Sequence, residues 1–236
     1  MCWGANNLGQ LGDSTNTGRL TPNTIPGLTQ VTTVASEATA AHTCALNNSG
    51  TMTCWGLNAS GQIGEGTSTN RNVPISPTGL SSGVAAIAVG NTHTCAVTTA
   101  GAAMCWGQNN LGQIGDNTAS NRFAPTAVIG LASGVAAMTA GNAHTCALTT
   151  AGAVQCWGFN NYGQLGNNST TNSAVPVAVS GLSSGVVAIA AGEFHTCAIS
   201  SGGSLQCWGR NDFAQLGDGT TTVRLTPTAV SGLASG

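Results

Sequence analysis

"GVVAIAAGEFHTCAISSGGSLQCWGRNDFAQLGDGTTTVRLTPTAVSGL", residues 185–233, contains one complete structural unit of this chain. It passes from a small-apolar run to a His-Cys segment, a Gly-rich turn, a Cys-Trp segment, a long polar loop and a Pro-led segment. None of these has the 3.6-residue period of a helix, and short runs punctuated by Gly and Pro predict four strands. In a sister copy, "VAAIAVG" (84–90) is a continuous apolar run ending in Gly, which predicts a strand buried on both faces. "HTCAV" and "AMCWG" flank "TTAGA" as the arms of a hairpin, and "APTAVIGL" (124–131) predicts a fourth strand with Pro125 at its start.

The unit recurs. "CWG" begins at 2, 54, 105, 156 and 207, and "HTCA" at 42, 93, 144 and 195. A fixed step near 51 residues marks a repeat architecture, and four strands per step fit a β-propeller blade. A solenoid of β-turns would have a far shorter period. The expected fold is all-β: a propeller of four-stranded blades, with four complete ~51-residue repeats plus two flanking partial strands, partial or open. The chain reads as one propeller segment, 1–236, with units at 1–28 (partial), 29–79, 80–130, 131–181 and 182–236, the last running into a partial unit.

"CWGxNxxGQLGDGTTxxRxxPxxV" followed by "AGxxHTCAL" resembles the regulator-of-chromosome-condensation repeat in its cysteine-bearing bacterial form. The resemblance covers essentially the whole chain. It implies a propeller, usually of seven blades, which at this step would need roughly 360 residues. The chain is therefore expected to be a segment of a longer protein. The alternative is a subunit that completes a ring or surface fibre with further copies, since open strand edges invite association. The family's best-known member promotes nucleotide exchange on a small nuclear GTPase, so a GTPase regulator is a further alternative by resemblance.

Composition narrows the classes. Charged residues are 5% of the 236, there is no Lys, and the net charge is -2. No basic stripe exists for a phosphate backbone, so no nucleic-acid partner is expected. No apolar run reaches the roughly 20 residues of a membrane-spanning helix. Met1 runs straight into Cys2-Trp3-Gly4, without a signal sequence in this segment.

Eight of the nine cysteines fall into pairs ten apart: Cys44/Cys54, Cys95/Cys105, Cys146/Cys156 and Cys197/Cys207. Each pair occupies the two arms of one hairpin, where opposed positions come within disulfide reach. Cys2 is left unpaired. Structural disulfides lead, and imply an oxidising compartment. Buried free thiols are one alternative. Metal binding by His195, Cys197 and Cys207 is another, although the spacing is that of a hairpin and not of a zinc knuckle. A Cys beside a His also suggests a nucleophile and its base. The same pair in every unit argues for scaffold, because an active site needs building once. The histidines are expected to hydrogen-bond backbone, and Trp3, Trp55, Trp106, Trp157 and Trp208 to pack blades. No cofactor or metal is expected.

Most charge is periodic. Six positions separate Asp13 from Arg19, Glu65 from Arg71, Asp116 from Arg122 and Asp218 from Arg224. In the remaining unit the same places hold Asn167 and Ser173. The simplest account is a structural ion pair bracing the long loop, lost as a unit. A calcium site at "GDGTTT" (217–222) is weaker, with one carboxylate where six to eight oxygens are usual.

Function should then lie where the units differ. Phe159, Tyr162, Glu193, Phe194, Arg210, Asp212 and Phe213 cluster in the variable slots of the last two units, and aromatic residues with Arg make a hot-spot composition. They form the candidate partner-binding face, and local packing substitutions are the competing account. Two departures stand out: Thr39 occupies the place of Gly90, Gly141 and Gly192, which predicts a distorted first strand. Ala214 replaces Gly9, Gly61, Gly112 and Gly163, which is strained if that place needs positive φ. The leading expectation is a non-catalytic, secreted or cell-surface scaffold binding a protein or glycan. An enzyme would have to be built from Glu37, Glu193 and Asp212, the spare carboxylates.

Overall fold

A computed structural model describes residues 1–37 and 40–233; Thr39 and the reading attached to it lie outside the described residues. The described chain is all-β. A two-stranded sheet, β1 (Cys2–Gly4) and β2 (Arg19–Asn23), precedes four sheets of four antiparallel strands. The first comprises β3 (Val31–Ala35), β4 (His42–Asn47), β5 (Met52–Gly56) and β6 (Arg71–Ile75). The second has β7 (Val84–Val89), β8 (His93–Thr98), β9 (Ala103–Gly107) and β10 (Arg122–Ala127). The third has β11 (Val135–Ala140), β12 (His144–Thr149), β13 (Val154–Gly158) and β14 (Ser173–Ala178). The fourth has β15 (Val186–Ala191), β16 (His195–Ser200), β17 (Leu205–Gly209) and β18 (Arg224–Ala229). Strands pair strictly in chain order within each sheet, and successive sheets pack side by side as the blades of an open propeller.

Two strand expectations need correction. The innermost strands are not buried on both faces: in β15, Val187 is 58% exposed, while Val186 is buried. In β7 the exposed residue is Ala85, while Val84, Ala88 and Val89 are buried. The outermost strand begins before its proline. β10 starts at Arg122, and Pro125 lies inside it, where the pairing shifts between Arg122↔Gly107 and Thr126↔Cys105. An outer edge with a bulge accommodates the missing N–H, as a central strand would not.

The hairpin register opposes each cysteine pair directly, as in Cys146↔Cys156, with Cα atoms 4.1 Å apart. Four disulfides result, Cys44–Cys54, Cys95–Cys105, Cys146–Cys156 and Cys197–Cys207, and Cys2 is free. Burial raises the Cys2 thiol above its ordinary value. Trp55, Trp106, Trp157 and Trp208 are completely buried between blades, whereas Trp3 is 61% exposed.

The junction between blades is polar at its centre. Trp208 Nε1 donates to the Gln164 carbonyl at 2.9 Å, and Thr196 Oγ1 donates to the same oxygen at 3.0 Å. His144, one blade earlier, meets Thr196 Oγ1 through Nε2 at 3.0 Å. Since the Thr hydrogen is directed to Gln164, the histidine is the donor, which places its proton on Nε2. His42–Thr94 and His93–Thr145 repeat the contact at 2.9 Å. His42, His93 and His144 therefore bond a hydroxyl on the next blade, not backbone. Burial keeps them neutral, with pKa values near 3 for His42 and His144 and about 4 for His93.

Candidate functional site

The antiparallel order gives the arc two distinct ends. Loops from first to second and from third to fourth strand emerge at one end; the second-to-third hairpins and the links between blades emerge at the other. All five arginines and all seven carboxylates lie in the loops of the first end or at the first residue of an outermost strand. The opposite end carries no charged side chain.

The periodic charges brace loops. Arg19–Asp13, Arg71–Glu65, Arg122–Asp116 and Arg224–Asp218 stand at 2.8, 3.0, 2.5 and 2.6 Å. Each carboxylate is also held by a neighbouring side chain. Asp116 Oδ1 accepts from Asn109 and from Thr118, and Oδ2 from Arg122. Burial would raise Asp116, but the bonds from Thr118, Arg122 and Asn109 outweigh it and hold the carboxyl below its usual value. Asp218 is likewise lowered, chiefly by Arg224 and Thr220. With both oxygens so engaged, "GDGTTT" offers no open carboxylate for calcium. No group of three or more His, Cys, Asp or Glu is placed to hold a metal among the described residues.

One organiser was missed in the sequence. Asn6, Asn58, Asn109, Asn160 and Asn211 are buried. Asn160 Nδ2 donates to Asn167 Oδ1 and to the carbonyls of Ser169 and Thr171, and its Oδ1 accepts from Leu165 N–H. The unit that lacks the ion pair therefore keeps the same loop. The signal was present as the Asn of "CWGxN" at every step, without a charge or reactive group to draw notice.

The seven variable residues gather at the charged end of the last two blades. Phe159, Tyr162 and Phe194 form a ring trio with centroids 6.2, 6.0 and 5.5 Å apart. The Arg210 guanidinium lies over Tyr162, Phe194 and Phe213 at 5.5, 5.6 and 5.3 Å. Its Nη2 bonds Asp212 at 2.6 Å, and that bond raises the arginine and lowers the carboxyl. Glu193 is exposed beside the cluster and accepts from Asn142 Nδ2 at 3.4 Å. Phe213 is the outermost ring, 78% exposed. The topology explains the gathering: Glu193 and Phe194 sit in a first-to-second-strand loop, and the others in third-to-fourth-strand loops of adjacent blades.

Two of the three carboxylates reserved for an enzyme share a cavity, and the third stands apart. Glu37 and Glu193 line one cavity of ≈ 550 Å³ with Ile87, Met138, Thr139 and Ala191, whereas Asp212 is held by Arg210. The lining contains no histidine, lysine or thiol to act as a second proton carrier or nucleophile.

These features define a class: an open propeller of disulfide-stapled blades that presents one charged, partly aromatic end. A family model described as RCC1-like domain matches residues 1–236, and the chain belongs to that family. It is 35% identical over 218 residues to the human probable E3 ubiquitin-protein ligase HERC4, covering 89% of this chain and 20% of HERC4. It is 30% identical over 231 residues to the ultraviolet-B receptor UVR8 of Arabidopsis thaliana, covering 97% of this chain and 52% of UVR8. The chain thus spans between a fifth and about half of these relatives. Human WBSCR16 superposes with a TM-score of 0.81 at 26% identity, over 96% of this chain and 61% of that one. Yeast Prp20p, described with its binding to Gsp1p and histones, gives 0.80 at 22% identity over 98% of this chain and 57% of that one. The latter likeness concerns the fold alone.

Proposed function

We propose that this chain is a non-catalytic recognition scaffold, secreted or displayed at a cell surface, that holds a protein partner against the charged end of its last two blades. The observation that carries the reading is the Phe159–Tyr162–Phe194–Arg210–Phe213 cluster, the one place where the repeats depart together toward large side chains. Aromatic rings anchored by arginine supply contact area at low entropic cost, on loops held by rigid blades. The location rests on four disulfides, which persist in oxidising compartments. A glycan is the other occupant such rings accept.

The test is a triple variant, Phe159→Ser with Tyr162→Ser and Phe213→Ser, compared with Thr99→Ala/Thr150→Ala at the uncharged end. Crosslinking to surface and secreted proteins should be lost in the first and kept in the second, with both melting as wild type. Equal crosslinking by all three would end the proposal.

Self-association is a second reading. It is favoured by Trp3 and Leu20, 61% and 101% exposed, on a flank whose tryptophan counterparts elsewhere are completely buried. Mass in solution decides it.

A further inference from the structure

Resting on the reading above, we infer that the partner engages this face through a basic segment, an arginine or lysine side chain laid over Phe213 beside Asp212. Three observations carry the assignment.

The first is that the molecule performs the recognition on itself. Arg210 lies over three rings at 5.3–5.6 Å, so the ring cluster is already a working cation platform. Arg210 covers part of Phe213, yet that residue stays 78% exposed, with ring surface left to solvent.

The second is the charge balance. Around Arg210 stand Asp212 and Glu193, one cation against two carboxylates, and the Asp212 side chain is 49% exposed. The remaining Arg–carboxylate pairs neutralise one another within their loops.

The third disfavours the opposite class. An anionic partner, whether acidic peptide or phosphate, needs an open guanidinium fork. At Arg210, Nη2 is already bonded to Asp212 and Nε is buried without a hydrogen-bond partner, so an anion would have to compete with Asp212 for the guanidinium. The other four arginines are paired too, and the chain has no lysine.

The experiment uses the whole chain and three capped nonapeptides, alternating glycine with arginine, glutamate or glutamine, measured by titration calorimetry at low salt. The arginine peptide should bind, and more tightly than the other two. Phe213→Ser and Asp212→Asn should each weaken it by about two- to fivefold, the size of an exposed cation–π or ion-pair contribution. Arg210→Gln is the sharper variant. It removes the resident cation, frees Asp212 and bares the rings, so arginine-peptide binding should tighten severalfold. Were the natural partner anionic, the same change would abolish binding.

A preference for the glutamate or glutamine peptide that still weakens in Phe213→Ser would overturn the cationic assignment and leave the recognition face standing. Arginine-peptide binding that falls in Arg210→Gln, or that changes equally in Thr150→Ala at the uncharged end, would also overturn it. Failure of all three peptides to bind, or indifference of every one to the triple aromatic variant, would remove the cationic assignment. Whether the face itself survived would then be read from the crosslinking comparison.

Discussion

The flank of the third blade and the flank of the fourth carry equivalent residues in different surroundings. On the third, Gly163, Gln164 and His144 meet the blade that follows. A Cβ on Gly163 would fall 2.4 Å from Leu225 Cδ2 and 2.9 Å from its Cα. The fourth blade has Ala214, Gln215 and His195 at these places, with no following blade among the described residues. Ala214 holds the same backbone conformation, φ 58° against 74° for Gly163. Burial drives both histidines below their ordinary pKa, His144 to about 3. The difference teaches that glycine answers two demands here. Alanine adopts the left-handed φ at Ala214, and at Gly163 the approach of Leu225 also leaves no room for a Cβ.

The comparison breaks most visibly at Gly163. Gly163→Ala adds both overpacking and left-handed strain and should cost about 3 kcal/mol. The urea midpoint measures it, and a loss no larger than that of an ordinary surface change would show that the junction gives way freely.

The next effect is acid sensitivity, and its sign follows from depressed histidine values. Above pH ~6.5 neither state binds the extra proton, so His144 adds no pH dependence. Below it the unfolded chain takes up a proton that the folded junction refuses, and stability falls until pH approaches 3. From pH 6.5 to 5 His144 should remove about 2 kcal/mol. His144→Gln should flatten the pH dependence of the urea midpoint more than His195→Gln. Equal flattening would mean that the two flanks are alike.

The smallest effect is Ala214→Gly. It relieves a left-handed alanine but adds backbone entropy to the unfolded chain, for a net gain between zero and ~1 kcal/mol. A gain as large as the Gly163→Ala loss would contradict the distinction drawn between strain and crowding.

Much of the architecture was legible because repetition multiplies weak signals. A single "HTCAISSGGSLQCWG" is an ambiguous hairpin, but the same pattern at a step of 51 identifies blades, and the ten-residue cysteine spacing then specifies the cross-strand staples. The aromatic cluster was legible for the converse reason, as the break in a pattern. Histidine partners were not. His144 and Thr196 stand 52 residues apart and meet only across a junction, and no local rule names the atom that a buried imidazole will find. The buried asparagines escaped for a related reason. Their role appears only when a loop wraps around one amide and every donor and acceptor of that group is used.

The amino-acid order alone determined the strand count, the blade, the placing of cysteines across each hairpin and the slots free to vary, because these depend on contacts between residues near in sequence or repeated at one step. Tertiary structure decided the rest. It turned every charge to one end, brought Tyr162 and Phe194 from neighbouring blades under one arginine, and set the Leu225 backbone against Gly163. Such outcomes depend on distances between surfaces that meet only when blades pack, and those distances are set by the packing of whole sheets.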